Sequence, residues 1–294
     1  MTIGSSFTKK QLIVTFVLKD GTFDGTNNTK IIQGLRIHCS VDKQGEPSKN
    51  KMKLKVYGMS TSDMNVLTIV PGQSAHALQV FHSIVKIEAT EEGSSIRSLV
   101  YQGDVTESFA SYHQPPNLHF AVESLTGYFG AIAPVKPTSY KGGADVATIM
   151  QGLATQLGYG FQNNGVNVQI NNPYLCGSAL SQASAIANAA NIEFGIDDDV
   201  MFIAPTGKER AGTAPLINAQ TGLHEYPTFD KKGIKFKCLY TPGLKLGGLV
   251  NVQSSLFQEG KQSTWRINGL KQELTCLEPS AKWESHVTAS WVGN

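Results

Sequence analysis

Seven histidines, three consecutive aspartates and four cysteines are the residues of this chain whose chemistry could do more than pack, and their spacing is the first test of function. The histidines are His38, His76, His82, His113, His119, His224 and His286, and no two fall at HExxH or a comparable ligand spacing. His38 and His119 lie on the polar faces of alternating segments, where they read as surface or interface residues rather than ligands. Asp197-Asp198-Asp199 could suggest a cation site, but a calcium loop needs alternating ligands and a distal glutamate, and neither is present. The triplet separates two short apolar runs, where a turn is expected and aspartate is suited to it. Cys39, Cys176, Cys238 and Cys276 stand far apart, without the CxxC spacing of a redox motif or zinc knuckle. Cys39 and Cys238 are in register with apolar neighbours and read as small buried hydrophobes, which fits a reducing compartment. GxSxG and GxxxxGKS/T are absent, and Gly158, Gly160 and Gly165 do not fit GxGxxG. No carboxylate pair stands out as a glycosidase dyad, although such pairs meet only in the fold. The residues therefore predict no catalytic, cofactor-binding or metal-binding site, no cofactor, and a protein that is not an enzyme.

The elements that would carry these residues are mostly strands. Leu35, Ile37, Cys39 and Val41 alternate with Arg36, His38, Ser40 and Asp42; Met52, Leu54 and Val56 alternate with Lys51, Lys53 and Lys55. Leu118, Phe120 and Val122 alternate in the same way. Period two puts one apolar face inward and one polar face outward. Turns are expected at Asp24-Gly25, Gly45-Glu46-Pro47 and Glu92-Gly93-Ser94, and a short helix over Ser60–Leu67. Strands without helices between them imply an antiparallel barrel or sandwich. Composition shifts at Ala133-Pro134-Val135-Lys136-Pro137, after which Val146, Ile149, Met150, Leu153 and Leu157 recur at helical spacing and Gly158 stops them. A strand through Val166, Val168 and Ile170 follows, then a helix with Leu180, Ala183, Ile186, Ala187 and Ala190 on one side. Ile192–Ile196 and Val200–Ile203 read as a hairpin across the aspartates. Beyond Pro205-Thr206-Gly207 the pattern is β again: Ile234, Phe236, Cys238 and Tyr240 alternate, followed by GLVNVQS, TWRINGLKQEL and HVTASWV. Trp265 reads as core because Ile267 shares its parity; Trp283 and Trp291 fit core and interface equally.

The order is thus β, then α/β, then β, over residues 1–132, 138–205 and 206–294. The whole chain has 294 residues, 40% hydrophobic and only 16% charged, which argues against disorder and suggests a surface covered by partners. Residues 1–60 carry ten positive and four negative charges, 61–205 four and twelve, and 206–294 eleven and seven. Two basic ends around an acidic middle fit either steered self-assembly or accidental clustering on solvated faces. Nucleic-acid binding would need a denser basic patch with stacking aromatics. The opening apolar run, Leu12 to Leu18, is too short to span a membrane and reads as a strand, not a signal peptide.

Longer stretches resemble a known family. VYQGDVTESFASYHQPPNLHFAVES resembles the strand–Gly-Asp–strand segment of contractile-tail baseplate hub proteins, a family related to the hub part of type VI secretion spikes. ATIMQGLATQLGYGFQNNGV and NPYLCGSALSQASAIANAANIEFGIDDDVMFIAP resemble their inserted α/β module. The stretch from Ala211 to Ser254 resembles their second β domain, with Thr221-Gly222-Leu223, Pro227, and Pro242, Leu244 and Gly247 at the positions of its Thr-Gly-Leu step, proline and Pro-x-Leu-x-x-Gly turn. LRIHCSVDKQGEPSKNKMKLKVYGMS resembles the paired strands that open such hubs.

The resemblance implies a mainly β fold with an α/β insertion: two tube-like antiparallel β-barrel domains flanking a small α+β module. It implies a homotrimer whose six barrels form a pseudo-sixfold ring, docking on the hexameric tail tube protein at one end and carrying the central spike protein at the other. Tape-measure protein and baseplate wedge proteins are further implied partners, and DNA would pass through the lumen without specific binding. The location implied is the virion tail baseplate, assembled in host cytoplasm with no membrane insertion. Lys51, Lys53 and Lys55 then form a polar strand face at a subunit contact or the lumen, with a plainly solvated face the alternative. A distal tail or tail tube terminator protein and a cell-wall-degrading tail enzyme are the competing expectations.

Overall fold

A computed structural model describes residues 9–45, 49–69, 83–113, 117–231, 233–255 and 263–292. Glu46 and Pro47 of one expected turn, and His76 and His82, lie outside these residues. The chain is mainly β with antiparallel pairing, as expected. The strands of the first region are β1 (Lys10–Val17), β2 (Thr29–Ile32), β3 (Ile37–Lys43), β4 (Lys51–Tyr57), β5 (Ile84–Glu91), β6 (Arg97–Ser111) and β7 (His119–Leu125). The helix α1 (Thr61–Leu67) lies among them, capped by Ser60, whose hydroxyl accepts from the Asp63 N–H. The last region adds β15 (Leu216–Ile217), β16 (Thr228–Asp230), β17 (Gly233–Leu239), β18 (Leu249–Val252), β19 (Ser263–Cys276) and β20 (Trp283–Trp291).

Both regions belong to one sheet. Its order is β16-β17-β20-β19-β3-β4-β7-β6-β5-β1-β2, with β18 also on β19 and β15 on β18. The junction is the antiparallel pairing of β19 with β3, in which Leu274 faces Cys39. Separate closed barrels are therefore not what the described strands form: β19 bonds across the expected boundary, and β1 packs back against β19 without a ladder between them.

Two apolar cores lie under this sheet. The first gathers Leu12, Val14 and Phe16 of β1, alternate residues of β3, β4 and β5, and Phe120 and Val122 of β7; Tyr240, Leu274, Cys276 and Trp283 join it from the last region. The second is built from Ile234, Phe236, Val250, Trp265, Ile267, Leu270 and Val287 among others. β19 serves both, and a bulge makes this possible. Ile267 faces Ala289 and Gly269 faces Thr288, leaving Asn268 unpaired. Buried positions accordingly change from Trp265 and Ile267 to Leu270, Leu274 and Cys276. Without the extra residue, period two would turn one half of the strand inside out.

Between the regions sits the α/β module. It opens with the short helix α2 (Tyr128–Ile132), which the sequence pattern does not announce, and contains α3 (Val146–Leu157) and α4 (Ala179–Ala190) as expected. Asp145 caps α3 by accepting from the Thr148 N–H at 2.9 Å, and Gly158 ends it at φ 79°. Two ribbons, β8 (Thr138–Ser139) with β12 (Tyr174–Leu175) and β9 (Gly143–Asp145) with β11 (Gln169–Asn171), flank a three-stranded sheet. That sheet runs β10-β14-β13, from β10 (Gly160–Asn163), β14 (Val200–Pro205) and β13 (Ile192–Asp197). The helices pack on Ile192, Ile196, Met201 and Ile203 in a core of their own. The expected strand over Val166–Ile170 is corrected to Gln169–Asn171, because the Asn163 side chain bonds both the N–H and C=O of Val166 and holds it in a turn.

Candidate assembly surfaces

The outward face of the long sheet is charged, and its charges are arranged in rungs. One rung runs Lys237, His286, Lys271, Asp42 and Lys51 across β17, β20, β19, β3 and β4. The next runs Glu284, Glu273, Ser40, Lys53, Glu123 and Glu107, ending on β6. A third contains Thr275, His38, Lys55, Ala121 and Phe109. Glu273 and Glu284 face each other directly, which alone would be unfavourable. Lysines offset it: Lys237 reaches Glu284 at 2.8 Å and Lys271 reaches Glu273 at 2.8 Å, with Lys282 at 3.6 Å. The hydrogen bond from Lys271 holds the Glu273 carboxyl below the usual range. Partial burial pushes the Glu284 carboxyl the other way, and the bond and charge of Lys237 outweigh it. Ligand atoms of Glu273, Glu284 and His286 lie within 4.8 Å of one another. Three ammonium groups already outnumber the two carboxylates in this ion-pair ladder, and a cation would have to displace them.

Lys51 and Lys53 both pair with Glu123, at 3.2 and 2.7 Å, and Lys53 and Lys55 are exposed. At one end of the strands the face turns aromatic. His38 and His119 flank Tyr57 at centroid distances of 5.2 and 5.3 Å, and the Arg36 guanidinium lies 3.6 Å over the Tyr57 ring. His38 also meets Glu278 at 2.8 Å. Both histidines are thus half-buried on the polar face, as the alternation predicts. His224 and His113 are exposed.

The second charged site is buried and joins the module to the sheet. Lys43, at the end of β3, is 3% exposed, and its ammonium donates to Asp197 at 2.8 Å and Asp198 at 2.5 Å. Arg210 donates to the other Asp197 oxygen at 2.8 Å and to Gln162 at 2.8 Å, while stacking over Phe202. Asn50 adds a bond to the Ile196 carbonyl at 2.7 Å. Burial disfavours the Lys43 ammonium, but the two aspartates outweigh it and hold the charge firmly on. Burial likewise opposes ionisation of Asp197, and Lys43 and Arg210 prevail, so its carboxyl stays below the usual range. Asp198 shares only Lys43, and burial pushes it up to about 6. The aspartate triplet is a turn, with Asp198 at φ 59°, but its first two members also bind these cations.

Nothing in the spacing points to Arg210. Lys43 does leave a signal: it continues the inward parity of Ile37, Cys39 and Val41, where a lysine must find a partner. Cys39, Cys238 and Cys276 are buried and Cys176 is exposed; burial pushes the Cys39 and Cys238 thiols up to about 12. Trp265 and Trp283 are core, whereas Trp291 is 62% exposed. No described helix is long and apolar enough to cross a membrane.

This architecture is that of tail proteins. The tail protein from Neisseria meningitidis MC58 superposes with a TM-score of 0.60 at 9% identity, covering 95% of this chain and 96% of that one. The 43 kDa tail protein of prophage MuSo2 from Shewanella oneidensis gives 0.58 at 10%, covering 97% of each. The E. coli c3393 protein, a type VI secretion component similar in structure to the T4 bacteriophage tail proteins gp27 and gp5, gives 0.56 at 9%, covering 88% and 74%. No curated protein sequence matches. The family described as Baseplate hub gp41 matches residues 11–276, and the chain belongs to that family of phage tail structural proteins.

Proposed function

We propose that three copies of this chain form a pseudo-sixfold ring that joins the hexameric tail tube to the central spike. The observation that carries this reading is that one chain holds two separate β cores under one continuous sheet, so three chains supply six such units. Each curled half serves as an open, tube-like barrel domain, residues 1–132 and 206–294, with 138–205 inserted between them. The ends of the sheet support ring closure. β2 ends it on one side with Ile31 exposed, and β16 on the other with Phe229 exposed, two unlike edges suited to a repeating heterologous contact. The charged rungs, including Lys51, Lys53 and Lys55, supply a hydrated wall for the lumen. Most cations there, Lys51 and Lys53 among them, are held by carboxylates, so DNA or tape-measure protein passes without specific binding. Tail tube, spike and wedge proteins are the partners, assembly takes place in the host cytoplasm, and the chain has no enzymatic role.

The test is the mass of the purified protein by light scattering. The subunit is 31.7 kDa, and a species three times that mass is expected. A hexamer would replace this reading with that of a distal tail or tail tube terminator protein.

A further inference from the structure

Glu284 and His286 stand two apart on β20, and the period of a strand puts both side chains on the outward face of the sheet. Glu273 of β19 is directly opposite Glu284 in the ladder. The neighbouring inward residues Leu270, Leu274, Trp283 and Val287 are buried, so packed backbone fixes the spacing of the three outward groups. One imidazole nitrogen and one oxygen of each carboxylate lie within 4.8 Å of one another. The His286 Nε2 is shielded from water and makes no hydrogen bond among the described residues. It lies 3.8 Å from the Glu284 Oε2, beyond hydrogen-bond reach. A nitrogen and an oxygen on one tetrahedral zinc ion, with bonds of about 2.0–2.1 Å, are roughly 3.4 Å apart.

We propose that Glu273, Glu284 and His286 bind a divalent transition-metal ion of the zinc class. The donor set selects this class: imidazole with carboxylate suits zinc, whereas calcium and magnesium take oxygen ligands. Three protein ligands leave the remaining position to water. The ion displaces Lys237, Lys271 and Lys282, whose side chains are 29%, 47% and 57% exposed. Ion pairs of exposed lysines are weak, and these side chains swing into solvent without moving a strand. In exchange, two carboxylates that face each other as like charges share one doubly charged centre. The His286 nitrogen gains a partner. Bound there, the ion clips β19 to β20 on the outward face. The inference does not depend on the ring or its stoichiometry.

The probe is zinc chloride, titrated calorimetrically into the full chain after treatment with a chelator. An ion held by this triad is expected, and His286→Asn and Glu273→Gln should each weaken its binding by at least about 100-fold, since loss of even an outer-shell partner costs 10–100-fold. The melting temperature of the metal-free protein should stay the same in both variants. Lys271→Met should act in the opposite direction and tighten binding several-fold, because it removes a competitor for Glu273. Zinc held at another histidine or at the exposed Cys176 would respond to none of these changes. Cobalt(II) in place of zinc should give the visible absorption of a low-coordinate ion, absent from His286→Asn, and equimolar calcium should not compete. Failure to bind zinc at millimolar concentration, equal binding by His286→Asn and wild type, or weaker binding by Lys271→Met would each overturn the proposal.

Discussion

Lys43 and Lys53 stand on neighbouring strands of one sheet and both hold carboxylates, yet the Lys53 side chain is 61% exposed and the Lys43 side chain 4%. At Lys53, water screens the ion pair and pays part of any cost of losing it. At Lys43, two aspartates and an arginine have been taken out of water together, and the four charges are paired with one another, with Gln162 adding a bond to the arginine. The outward face tolerates exchange of its charges, whereas the joint specifies one docking of the module on the sheet. The same residue types thus give a hydrated wall in one place and a geometric lock in the other.

The contrast is sharpest under deletion. Lys43→Met strands Asp198 and half-strands Asp197, and urea denaturation should show a loss of about 3–5 kcal/mol. Adding Asp198→Asn should recover part of that loss. If Lys43→Met costs no more than Lys53→Met, the joint is not the lock described here.

A smaller effect separates the two sites by pH. The folded chain binds the Asp198 proton more tightly than the unfolded chain, with a carboxyl near 6 against an ordinary 3.8. Stability from this group is therefore gained as pH falls through 6 and is absent at neutral pH. Between pH 6.5 and 4 the wild type should gain roughly 2 kcal/mol on Asp198→Asn. Asp197 acts in the opposite sense: its depressed carboxyl contributes stability above about 4 that is lost on further acidification. Parallel curves for wild type and Asp198→Asn over that window would remove the distinction between the two aspartates.

The smallest effect belongs to the open face. Glu123→Gln breaks the pairs with both Lys51 and Lys53 and should change stability by less than about 1 kcal/mol, diminishing further in high salt. A loss comparable to that of Lys43→Met would mean that the rungs hold the sheet together and do not merely coat it.

Much of this was legible along the chain, for reasons that are local. The alternation through β3, β4 and β17 sets which residues turn inward, because period two is a property of the strand itself. The cap at Ser60 and the stop at Gly158 mark their helices through bonds to neighbouring residues. The parity change in TWRINGLKQEL contains the β19 bulge, although a run of residues alone does not say which core each half joins. Resemblance carried the family assignment, since hub segments extend over nearly the whole sequence. Arg210 was illegible: its partners Asp197 and Gln162 come from other elements, and no spacing encodes the meeting.

The sequence by itself determined the alternating strands β3, β4 and β17 with their inward and outward faces, the two long module helices, and the placement of His38, His119 and the β4 lysines on polar ground. These follow from backbone geometry and near neighbours. Tertiary structure alone decided that both β regions share one sheet through Leu274 and Cys39, that Asp197 and Asp198 meet Lys43 across more than 150 residues, and that Glu273 of β19 stands beside Glu284 and His286 of β20. Pairing partners and buried charges are chosen by what comes near in space, and desolvation makes such choices binding only once the elements have packed.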